Sequence, residues 1–141
     1  MQEITKIPLV ILLQNITKKE VARKGDKFVY LTTKQEVEQE YINQAEQKQD
    51  ELYFEEVKKQ MDKAIQNMLD SKAQELRYDN MMSARSYAGY DNPFKDEAVR
   101  LATWCANCWA KAGEIEADVE AGNRPMPTVE EVLSELPAYQ G

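Results

Sequence analysis

The chain has 141 residues, 43% of them hydrophobic and 30% charged, with a formal net charge of −7. That leaves room for one modest domain and an extension, with few apolar residues to spare for a second large core. Histidine is absent, which removes the commonest general base, zinc ligand and pH switch together and leaves any catalysis to carboxylates, lysines or cysteines.

Charge is unevenly spread. Residues 1–33 hold six Lys/Arg against three Asp/Glu, a net +3, while the remaining 108 hold 12 against 22, a net −10. An acidic body repels phosphate backbones, so any nucleic-acid contact falls to the N-terminal part, whose aromatic residues are Phe28 and Tyr30 alone; no nucleic-acid partner is expected. The apolar run 7–16 is ten residues long, well short of a bilayer span, and no basic start or small-residue cleavage site marks a signal peptide. No membrane partner is expected. Two cysteines three positions apart make no disulfide framework and fit a reducing cytoplasm.

In chain order, residues 1–33 predict a β-arm or hairpin. Two extended segments, 4–16 and 27–31, are suggested by the β-rich Val10, Ile11, Val29 and Tyr30, separated by a polar connection containing Gly25 and Asp26. Thr17 followed by Glu20 is also a capping-box pattern, so this connection can hold a helical turn. A lone hairpin is marginal in water and is expected to pack on the helices of this chain or on another subunit.

Residues 34–80 predict one long helix. Thr33 with Glu36 forms a capping box, and neither Gly nor Pro occurs between Lys34 and Ala88. Unbroken over 34–78 it would measure roughly 68 Å. Its first half is nearly all polar, offering Val37, Tyr41, Ile42 and Ala45, whereas Phe54, Val57, Met61, Ala64 and Met68 make a three-four stripe broadened by Ile65, Leu69 and Leu76. Such a stripe reads as a core face rather than a coiled-coil seam. The polar half gains little from folding alone, so it projects as a solvated rod, breaks in two, or is ordered by neighbours.

Residues 81–141 predict a C-terminal helical module. Residues 89–93 read as a turn, with Pro93 biasing Asn92 away from the α region. A helix then runs over 95–121, Gly122 stops it, and Pro125 and Pro127 enforce an extended exit. Thr128 with Glu131 caps a short last helix that ends before Pro137.

Chemistry-bearing motifs have plain structural explanations. Cys105-x-x-Cys108 between Trp104 and Trp109 invites a redox reading, but the pair lies deep inside a predicted helix, without the strand-to-helix setting that lowers a thiol pKa. Zinc lacks two ligands. The cysteines read as small core fillers beside two aromatic anchors. Glu114, Glu116, Asp118 and Glu120 alternate with Ile115, Ala117 and Val119 as a solvated helix face rather than a calcium loop. Val132, Leu133 and Leu136 either dock in a groove or fold back on their own domain.

A linked set of short motifs covers about sixty residues: Tyr78-Asp79-Asn80, Ser83 to Ala88, Asn92-Pro93-Phe94, Glu97-Ala98, Trp104, Cys108-Trp109, Gly122 to Thr128, and Glu131 to Pro137. This set resembles a C-terminal module of small tail and tail-fibre-associated proteins of tailed bacteriophages. Cys105 departs from it, standing where that module carries a larger polar residue, and the N-terminal half has no counterpart in it. The resemblance implies a virion protein without enzymatic duty, found in the particle and in host cytoplasm during assembly.

The combined expectation is a mainly α protein with a short N-terminal β-arm or hairpin, a long helix and a small C-terminal helical bundle. It is expected to be a non-enzymatic structural or adaptor protein of a tail or neck, oligomeric, touching other virion proteins or copies of itself. The alternatives are a tail or tail-fibre assembly chaperone absent from the mature particle, and a capsid-associated decoration protein. Partner contacts are expected at Pro8, Leu9, Val10, Ile11, Leu12, Tyr41 and Phe54, and a structural core at Trp104, Cys108 and Trp109. No cofactor or metal is expected.

Overall fold

Leu9, Leu12, Leu13 and Ile16 recur at i, i+3, i+4 and i+7, the spacing of one helix face. In the computed structural model, which describes residues 4–141, they line the inner side of helix α1 (Leu9–Thr17). Residues 4–16 are therefore not a strand, which corrects the extended reading. Pro8 sits at the N-cap, where its missing N–H costs nothing, and Lys18 closes the helix at φ 60° by donating its N–H to the Gln14 carbonyl. Thr17 starts no helix downstream; its hydroxyl donates back to the Leu13 carbonyl at 2.8 Å and accepts the Lys19 N–H at 3.4 Å.

The hairpin lies further along. Strands β1 (Val21–Lys24) and β2 (Lys27–Tyr30) pair antiparallel, with Val21 opposite Tyr30 and Lys24 opposite Lys27. Their two-residue loop is Gly25-Asp26. Gly25 adopts φ 63°, the left-handed region that the first central position of a tight hairpin turn demands and that glycine enters without a Cβ clash. Past β2, Glu36 bridges Val29, and Val37 donates to the Phe28 carbonyl at 2.9 Å. That pairing holds residues 32–38 out of a helix, so the Thr33–Glu36 capping box is not realised and Lys34 turns through φ 62°.

Helix α2 runs Gln39–Glu75, starting five residues later and ending five residues earlier than the 34–80 range the sequence suggests. It ends in a Schellman arrangement: Tyr78 N–H donates to the Ala73 carbonyl at 3.0 Å and Arg77 N–H to Gln74 at 3.0 Å, with Arg77 at φ 77°. Then come α3 (Met81–Ser86), a single 3₁₀ turn (Tyr87–Gly89), α4 (Lys95–Glu120) and α5 (Val129–Glu135). Asn80 caps α3 by accepting the Ser83 N–H at 2.8 Å, while Thr128 caps α5 by accepting that of Glu131 at 3.1 Å. At the α3–α4 turn, Asn92 accepts from Phe94 N–H and donates to the Tyr87 and Tyr90 carbonyls. Gly122, at φ 78°, ends α4 with the same Schellman pattern that ends α2.

The fold is thus mainly helical, with the hairpin, the long helix and the C-terminal helices in the expected order. By packing, the chain forms two units, 1–59 and 60–141, and the division falls inside α2 rather than at 33/34 or 80/81. The N-terminal unit buries Leu12, Leu13, Val21, Phe28, Tyr30, Val37 and Ala45 together. The supposedly unsupported half of α2 is therefore ordered by this chain's own α1 and hairpin. The C-terminal unit centres on Ile65, Leu69, Ala73, Met81, Leu101 and Cys108, with Val132 and Leu136 of the last segment folded onto it.

Candidate docking surface

The segment ahead of α1 is tied to α2. Lys6 pairs with Asp50 at 2.9 Å and lies 5.5 Å from the Tyr53 ring centroid, and the Gln49 amide donates to the Ile7 carbonyl at 2.8 Å. From the other side, the Gln14 side chain accepts the Val21 N–H at 3.1 Å, joining α1 to β1. These ties hold α1 against α2 with a trough left open between them. The trough encloses about 500 Å³ and is lined by Ile7, Ile11, Leu12, Asn15, Ile16, Gln44, Lys48 and Leu52. Ile7 and Ile11 remain 38% and 47% exposed there.

Two of the seven expected contact residues, Ile11 and Leu12, line this groove, and Leu12 does so as part of the wall, being 6% exposed. Leu9, Val10 and Tyr41 are half-buried against the internal core instead. Pro8 is exposed at the helix start, and Phe54 is half-buried on α2. Leu52, Lys48 and Gln44 were not anticipated. Reading 7–16 as a helix would have found them, because the outer face of α1 then needs a neighbour on α2.

In the C-terminal unit, Trp104 is buried at 8% exposure and its indole N–H donates to the Pro137 carbonyl at 2.7 Å; the Cys108 thiol donates to the same oxygen at 3.7 Å. Tyr139 meets Trp104 edge-on at 5.5 Å between centroids. Trp109 packs half-buried at the edge of this core. Val132 and Leu136 are buried and Leu133 half-buried, so the last helix folds back on its own unit. Burial, with Cys105 nearby, pushes the Cys108 thiol up to about 11, the opposite of what an attacking thiol needs.

A second apolar surface, unread in the sequence, surrounds Tyr87. Its ring lies 5.8 Å from Tyr78, 6.4 Å from Tyr90 and 5.7 Å, edge-on, from Phe94. Tyr90 and Phe94 are each more than half exposed. Burial and the hydrogen bond to Glu97 raise Tyr78 to about 12.

Among the described residues no group of three or more Cys, Asp or Glu side chains gathers as a metal site, and no helix is long and apolar enough to cross a membrane. Compared with protein-family models, curated proteins and solved structures, the chain matches none.

Proposed function

We propose that this chain is a non-enzymatic structural or adaptor protein of a tailed-phage particle, associated with the tail or neck and acting through contacts between subunits. The observation that carries the contact role is the groove between α1 and α2, where Ile7 and Ile11 stay in water beside the buried wall residue Leu12. Removing such side chains from water on docking contributes roughly 25 cal/mol per Å² of apolar area. Among the described residues Lys48 is the one charged residue on the lining, so the occupant is an apolar segment of a companion virion protein bearing a carboxylate. The assignment to a phage tail or neck rests on the motifs from Tyr78 to Pro137.

The test joins location to contact. Mass spectrometry of purified particles should find this chain at structural abundance, and an Ile7→Asp, Ile11→Asp variant should keep its circular dichroism spectrum while being lost from particles. Particles that lack the native chain overturn the virion role and favour the assembly chaperone. Undiminished incorporation of the double variant overturns the groove as the contact.

A further inference from the structure

Residues 18–34 carry six Lys/Arg against two carboxylates, a net +4, and all six cations are exposed. The hairpin register sets Lys24 directly opposite Lys27, a like-charge pair that weakens a ladder unless an anion offsets it. Lys27 is answered by Glu36 at 2.9 Å. Arg23 donates through Nε to the Gly25 carbonyl at 2.9 Å, which fixes its guanidinium beside the turn. The tip of the hairpin is therefore a preset cationic surface.

The matching anionic surface occurs in the same chain. Residues 111–135 hold seven carboxylates against Lys111 and Arg124, a net −5, with Lys111 pairing Glu114 at 3.6 Å. Arg124 is occupied by both oxygens of Glu135, at 2.9 and 3.0 Å. Glu114, Asp118 and Glu120 are exposed on the last turns of α4, and Glu130 and Glu131 on the first turn of α5. We infer that the basic hairpin of one copy docks on the acidic α4–α5 surface of a second copy, a head-to-tail contact between unlike surfaces. Such a contact builds a closed ring or an open filament rather than a two-fold dimer. Nucleic acid suits the hairpin less well, since Phe28 and Tyr30 are buried at 9% and 6% exposure and offer no stacking face. The inference rests on the reading that the chain works through subunit contacts and names one of the partners.

The experiment is analytical ultracentrifugation of the full chain at low and high ionic strength, alone and with a duplex DNA oligonucleotide. The native chain should self-associate at low salt and dissociate as salt rises. Variants Arg23→Glu/Lys24→Glu and Glu114→Lys/Asp118→Lys/Glu120→Lys should each keep native circular dichroism and associate about 100-fold more weakly. Mixing the two variants should restore assembly, because each reversed surface then meets its complement on the other chain. A native chain that stays monomeric at low salt, association indifferent to both reversals, or a monomer that binds the oligonucleotide through Arg23 and Lys24 overturns the inference. Particle mass spectrometry answers separately: a self-associating chain missing from particles defeats the virion role alone, and a monomer found in particles defeats this inference alone.

Discussion

Replacing Trp104 with phenylalanine tests how the C-terminal unit is held shut. The indole N–H gives the Pro137 carbonyl its strongest donor at 2.7 Å, and only the weak Cys108 thiol at 3.7 Å remains if it is removed. Losing that hydrogen bond costs about 0.5–1.5 kcal/mol net. The missing pyrrole edge of a side chain that is 92% buried leaves a void worth about 1–2 kcal/mol, a fraction of the 3–5 kcal/mol of full truncation to alanine. The sum is about 1.5–3.5 kcal/mol. Both tryptophans belong to the 60–141 unit, so fluorescence-detected urea unfolding reports on that unit, with Trp109 serving as probe in the variant. If Cys108 becomes accessible through the same opening, its labelling by a thiol reagent should accelerate about 10- to 400-fold. The control is Trp109→Phe, at the half-buried edge of the core, expected to cost under about 1 kcal/mol. A Trp104→Phe variant no less stable than Trp109→Phe, or one whose Cys108 stays as protected as before, refutes the reasoning.

Two further outcomes are expected. Arg77 ends α2 in a left-handed conformation, at φ 77°, so Arg77→Gly should stabilise the chain by about 0.5–1 kcal/mol, the relief of the Cβ clash less the extra chain entropy of glycine; a lowered urea midpoint contradicts that account. Because burial favours the neutral Cys108 thiol, stability should be intact below its ordinary 9.0 and decline as pH rises toward about 11. Tyr78, raised from 10.0 to about 12, acts in the same sense at still higher pH. Denaturant midpoints from neutral pH to about pH 11 should fall more steeply in the native chain than in Cys108→Val, and parallel curves would remove the thiol from the explanation.

Local signals were legible wherever the chain's own backbone settles the outcome. Gly122, Asn92 and the Thr128–Glu131 pair announce a stop, a turn and a cap, and each does that job through hydrogen bonds within six residues. The signals that misled were those with a distant competitor. Thr33 and Glu36 spell a helix start, yet the chance to extend the hairpin through Val37 and Phe28 outweighs one cap. The run Leu9 to Leu13 has β-rich composition and no polar alternation, so length and spacing had to arbitrate, and the spacing of Leu9, Leu12, Leu13 and Ile16 favours the helix that forms. Of the long stripe, Val57, Ile65 and Leu69 are buried while Phe54, Met61, Ala64, Met68 and Leu76 are half-buried, and buried Ala73 lies outside the pattern the sequence suggests. The groove itself was hidden because it depends on which face of α1 meets α2. That is a tertiary fact carried by Lys6, Asp50 and Gln49, residues without any motif.

The two apolar cores draw on separate stretches of chain, one from residues 9–52 and the other from 61–139, and share no side chain. Substitutions that reshape the amino-terminal groove therefore need no compensating change among the indole and thiol groups beyond it. Descent can therefore remodel the groove without disturbing the indole-and-thiol core, and the two ends of the chain can drift on separate clocks.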